Sequence, residues 1–325
     1  MRPKFLCGVA VLFLHISLIL PVANTAETRD FPSRPVEIII SFSPGGTLDL
    51  ATRILGPELS RVLKVPVIIT NKAGGGGAVG TEYAASARPD GYTILAAPIA
   101  FSILPILNPA VHYKLSDFIP LCKYADAPNL IQVKRNSPLK SFGDLINYAK
   151  ANPGKLTAGS SGVGTGGHFS LEMIKIQAGI DVSHLPYKSG GELLIGILGD
   201  QVDFAMNSYT ATLGLMKSGE LRALASTTGK KIPDLPNVPT IAELGYPKAI
   251  TGSWTGFMIP KGVPKPVLNK LAAALEKAIL SPTVKKNLEN AAQVIDYQDG
   301  PTFTKFLYDE HRAFEDIAKK AKLVK

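Results

Sequence analysis

Three times along the chain a short β-branched run passes through a glycine-rich turn into a helical stretch, and this order restricts the fold more than any other feature. The first instance is 34–42, with Val36, Ile38, Ile39 and Ile40, an unbroken apolar strand of the kind buried on both faces of a sheet. Ser43-Pro44-Gly45-Gly46-Thr47 is its turn, and Leu48, Ala51, Leu55, Leu59 and Val62 then recur at helical spacing. Gly56-Pro57 is expected to kink or interrupt that helix. The second instance is strand 65–70, the turn from Ala73 to Ala78, and helix 79–87; Arg88-Pro89-Asp90-Gly91 then turns into strand 92–96. Between 98 and 127 the pattern loosens. It resumes with strand 130–133, helix 141–151 and the third glycine turn, 159–167, which separates strand 156–158 from helix 168–178. Strands at 182–187, 202–205 and 221–225 alternate with helices at 192–198 and 211–218. A further strand at 254–259 precedes two amphipathic closing helices, 266–280 and 302–322. Such alternation predicts an α/β fold of doubly wound units. At 325 residues the chain has room for about two domains.

The segment 5–20, FLCGVAVLFLHISLIL, is the only long apolar run. Arg2 and Lys4 precede it and the small, polar PVANTAET follows, which is the pattern of a secretory signal peptide. Sixteen residues including His15 and Ser17 fall short of the ~20 that span a bilayer. Residues 1–26 are therefore expected to be a signal peptide cleaved near Ala26, which leaves Cys122 as a lone thiol with no disulfide to form. No cysteine cluster or paired-histidine spacing suggests a metal, and nothing points to a cofactor. The net charge of +9 is dispersed and aromatics make up only 7%, so nucleic acid is not an expected partner; a field that attracts small anions fits better.

Glycine turns that open helices let backbone N–H groups approach a ligand, and the helix start adds partial positive charge. That combination makes an anion site without Lys or Arg. Two of the turns also match G-x-G-x-x-G (Gly75, Gly77, Gly80 and Gly162, Gly164, Gly167), but glycine-dense loops do so by chance. Asp49, in the first helical turn, could serve the helix dipole or hold water and ligand donors at a cleft. Catalytic signals are thin. Ser160 or Ser161 with His168 could form the core of an exported serine hydrolase, although no acid completes a triad and Gly-Ser-Ser-Gly is not the nucleophile-elbow pattern.

The strings FPSRPV (31–36), FSPGGTLD (42–49), RPDGYT (88–93), NPGKL (152–156), GSSGVGT (159–165), VSHLPYK (182–188), LRALA (221–225), PTIAE (239–243) and WTG (254–256) closely resemble the Bug family, the extracytoplasmic solute receptors of tripartite tricarboxylate transporters. The resemblance implies a two-lobed periplasmic binding protein, type II-like, each lobe a mostly parallel sheet flanked by helices. Residues 27–127 with 229–325 would form lobe 1 and 128–228 lobe 2. It implies a small organic carboxylate gripped between lobes, without catalysis, and delivered to membrane permease subunits by a monomer; the same shape could instead signal to a sensor kinase. On lobe 1 the grip would use Ser43, Gly45, Gly46 and Thr47, with Phe42 lining the cleft and Asp49 organising water. On lobe 2 it would use Ser160, Ser161, Gly164 and Thr165, with His168 behind them and Tyr187 and Asn207 adding selectivity. The chain departs from the family at Lys72-Ala73, where Arg-Pro is usual, at Gly166-Gly167, and at Asn207, where an aspartate is common. The ligand need not match that of any relative.

Overall fold

The computed structural model describes residues 31–229, 231–249 and 251–324, so the expected signal peptide lies outside the described residues. Val36–Ile40 (β1) is the centre of a parallel trio with Val67–Asn71 (β2) and Thr93–Pro98 (β3). Its side chains divide as the unbroken apolar run requires: Val36, Ile38 and Ile40 enter the core on one face, Ile39 the core on the other. The first core is closed by helices Thr47–Leu63 (α1), Lys265–Ile279 (α8) and Pro282–Asn290 (α9). The second is closed by Ala78–Ala85 (α2), Ala100–Leu107 (α3) and Gly300–Lys320 (α10), with Trp254, Phe303 and Phe169 buried in it.

A second parallel trio consists of Thr157–Ser160 (β5), Ser183–Pro186 (β6) and Phe204–Ser208 (β7). Around it pack Phe142–Ala151 (α4), Gly166–Ala178 (α5), Gly190–Leu198 (α6) and Tyr209–Lys217 (α7). The two trios are joined by Phe118–Lys134 (β4), seventeen residues long, and Gly252–Pro260 (β9). Along β4, residues 118–128 pair with β9, and Cys122 to Asp126 also pair with Val294–Asp299 (β10). From Asn129 onward β4 pairs with β7 and with Leu221–Ser226 (β8). All four of those partners run antiparallel to it, as does β9 to β3. The α/β expectation holds, with one correction of detail: each half is parallel only through its trio, because β4, which runs through both halves, and β9 beside its first part add antiparallel pairings.

Two sequence expectations fail locally. Helix α1 runs unbroken through Pro57. The ring removes one backbone bond, but buried Leu55, Leu59 and Leu63 hold the turns on both sides of it against the core. The patternless stretch after 98 is α3 and most of β4, a strand buried along almost its whole length whose apolar run is broken by Pro120, Lys123, Asp126 and Pro128. Lys123 is buried in that strand, with its ammonium on Asp296 and 2.6 Å from Asp126.

Candidate functional site

The loops after β1, β2, β5 and β6 all leave the carboxyl ends of parallel strands, where open α/β sheets place their ligands. They meet around a cleft of about 670 Å³. From the first half it is walled by Ser41, Phe42 and Ser43, by the run from Ala73 to Gly77, and by Leu104, Leu107 and Asn108 of α3 and its end. From the second half come Ser161, Gly162, Val163 and Thr165, then Tyr187 and Lys188.

The first loop is fixed from below. Asp49 is buried, and its carboxylate accepts the Gly45 N–H (3.0 Å), the Arg53 Nε–H (3.0 Å) and the Asn71 side-chain amide (2.9 Å). Burial pushes this carboxyl up, yet the bonds from Arg53, Gly45 and Asn71 outweigh it and hold the group below the usual carboxylate range. Asn71 also donates to the Phe42 carbonyl, which ties β2 to the loop. No side chain caps the start of α1, so its first amides are left for a ligand or water. Ser43 is exposed, with its hydroxyl unengaged by other described residues. Thr47 meets the second half of the sheet: its Oγ1 lies 2.9 Å from Ser208 Oγ, and its carbonyl accepts from Gln293.

The second loop is fixed by neutral groups. His168 Nδ1 accepts the Gly164 N–H at 3.2 Å, so that nitrogen carries no proton. Its ring stacks on His184 with centroids 4.3 Å apart, and His184 Nε2 lies 2.7 Å from Ser160 Oγ. Burial pushes His168 down to about 3, with His184 and Lys175 adding to the shift, and burial with Lys175 pushes His184 down to about 4. Both rings are uncharged at neutral pH. Thr165 caps α5: its hydroxyl donates to the Gly162 carbonyl at 2.8 Å and accepts the His168 N–H. Gly166 and Gly167 are a packing requirement, because a Cβ on Gly167 would lie 2.5 Å from the Met206 carbonyl and one on Gly166 2.8 Å from the Asn129 amide.

Of the residues named from sequence, Phe42, Ser43, Ser161, Thr165 and Tyr187 border the cleft. Gly45, Gly46 and Thr47 continue the first loop into α1, and Asp49 braces it. Ser160, Gly164 and His168 form the bracing of the second loop. Asn207 is buried, bonded to Ser208 N–H and to the Gly190 carbonyl between β7 and α6, and does not border the cleft. The pairing imagined for a hydrolase is absent: Ser160 is fully buried and meets His184 rather than His168. Among the described residues no carboxylate hydrogen-bonds either ring. Leu104, Leu107, Asn108, Val163 and Lys188 were not legible as wall residues, although the glycine turn at 74–77 was.

Residues 51–323 match the family model described as "Tripartite tricarboxylate transporter family receptor". Protein BugT of Bordetella pertussis is 32% identical over 286 residues, 86% of this chain and 86% of its own length. Among solved structures, R. palustris Rpa4515 with adipate aligns with a TM-score of 0.84 at 30% identity over 90% of this chain and 99% of that one. MatC (Rpa3494) from Rhodopseudomonas palustris with bound malate aligns with a TM-score of 0.81 at 25% identity, over 88% and 99% of the two chains.

Proposed function

Because the chain belongs to the receptor family of tripartite tricarboxylate transporters, we propose that it captures a small organic carboxylate in this cleft and presents it to membrane permease subunits. One observation carries the reading: two strand-to-helix loops, one from each half of the sheet, border a single cleft with free seryl hydroxyls at Ser43 and Ser161. Helix α1 adds uncapped amides on one side. A carboxylate accepts from several such donors at once, and bonds to an ionised acceptor are among the stronger ones. The structures of Rpa4515 with adipate and MatC with malate support the ligand class.

In this reading 27–127 with 229–325 and 128–228 are the two lobes, and β4, which runs through both, carries the hinge with β9 beside its first part. Neither loop satisfies the ligand alone, so the ligand favours the closed arrangement. Ser43, Ser161 and the amides of Gly46 and Thr47 grip the acid, while the Gly45 amide is held by Asp49. Asp49, Ser160, Thr165 and His168 hold the loops in place, and Phe42 and Tyr187 shape the cleft. The protein acts as a single chain in the periplasm after removal of 1–26, and turns nothing over; the burial of Ser160 supports the last point. Calorimetry against mono-, di- and tricarboxylates tests the proposal. Saturable binding of at least one acid, with its primary amide much weaker, is expected, and failure of every acid to bind would overturn it.

A further inference from the structure

The walls of the cleft differ in chemistry from the loops that grip the acid, and the difference selects among carboxylates. This inference rests on the carboxylate-receptor reading and narrows its ligand class. Beyond the two seryl loops the cleft is bordered by Phe42, Leu104, Leu107, Val163 and Tyr187. Lys188 is the only charged residue among those lining it; it is exposed, and its ammonium bonds to no other described residue. Val163 is an apolar side chain at the cleft with 49% of its surface uncovered. Opposite it, Gly74, Gly75, Gly76 and Gly77 form a shelf of bare backbone, all at positive φ (142°, 57°, 68° and 109°). A Cβ on Gly77 would lie 2.9 Å from the Phe42 ring, so the shelf also supports that ring.

These surfaces suit a compact polyacid poorly. Each carboxylate taken from water needs its own donors, and beyond the first grip most of the wall is alkyl, aromatic or glycine backbone, with Asn108 half-buried and Lys188 exposed to water as the polar exceptions besides Ser41 and Thr165. An apolar body would be favoured instead, because it covers exposed Val163 and half-buried Leu107 and can lie against the shelf. We propose that the receptor selects carboxylates whose single acid group is joined to an apolar body, an aromatic ring or an alkyl chain, over compact polycarboxylates.

Calorimetry at neutral pH with benzoate, hexanoate, malonate and citrate tests this on the full mature chain. Benzoate or hexanoate is expected to bind at least tenfold more tightly than malonate and citrate. Val163→Thr, a change of similar volume at an exposed position, is expected to weaken the preferred apolar acid several-fold while leaving the melting temperature unchanged. Malonate or citrate binding as tightly as both apolar acids would overturn the selectivity and leave the receptor reading standing, as would unchanged affinity in Val163→Thr. Binding of none of the four, nor of any other acid, would overturn both.

Discussion

The loops at the starts of α1 and α5 do the same mechanical work with different electrostatics. The first is braced by a buried anion, Asp49, neutralised by Arg53 and tied to Asn71. The second is braced by a stacked pair of neutral imidazoles, with Ser160 and the Thr165 cap. Placing a carboxylate under a loop proposed to bind an anion is tolerable only because its charge is consumed locally by Arg53 and the Gly45 amide. Placing histidines there is tolerable only because burial keeps them uncharged, since two protonated rings 4.3 Å apart would repel each other. The rigidity of such a loop can therefore come from a neutralised ion or from uncharged groups, provided that no unneutralised charge remains.

The sharpest way to separate the two loops is by pH, and it should give the largest effect. The histidines have folded values of about 3 and about 4 against an ordinary 6.5. The unfolded chain therefore binds protons below pH 6.5 that the folded chain refuses, and their contribution is full above that pH and lost towards pH 3–4. Asp49 is also depressed, from 3.8, so its contribution is present above 3.8 and lost only as pH falls through its lower folded value. At a pH a little above 3.8, well inside the histidine window and not yet in that of Asp49, amide exchange should deprotect the second loop while the first keeps its protection. His184→Gln, which cannot acquire a charge, should flatten that dependence. Equal loss in both loops would break the comparison.

Asp49→Ala should be the next largest effect, about 1–3 kcal/mol of stability by urea denaturation, because it strands the Gly45 amide and the Asn71 side chain. Arg53 is half exposed and can regain water, which keeps the loss at that level. Thr165→Ala removes the cap of α5 and should cost about 1 kcal/mol in the same assay. The smallest effect should come from Thr47→Val, which deletes the hydroxyl contact to Ser208 between the two halves: about 0.5–1.5 kcal/mol, measured again by urea denaturation.

Much of this asymmetry was hidden in the sequence. The glycine turns were legible because a β-branched run, a glycine cluster and a helical period stand in fixed order around each of them. The bracing was not, since His184 lies 24 residues from Ser160 and reaches it only through the pairing of β5 with β6. The apolar wall was hidden for another reason: Leu104 and Leu107 sit on a short helix with Pro105 inside it, in a stretch that reads as core or loop. Strand β4 was half legible. Its 130–133 portion has the expected pattern, while its first half hides a lysine made tolerable by Asp126 on the same strand and by Asp296, which only the pairing with β10 brings near. Asn207 shows the converse limit, because the resemblance drew attention to it and the fold spends its side chain on its own backbone surroundings.

The central claim is that both loops hold one acid group together. Calorimetric titration of the tightest-binding carboxylate into the mature protein, Ser43→Ala, Ser161→Ala and the double variant tests it most directly. The account predicts that each single change weakens binding and that the two effects are coupled, by an amount on the order of 0.5–3 kcal/mol. Wild-type affinity in either single variant would contradict it.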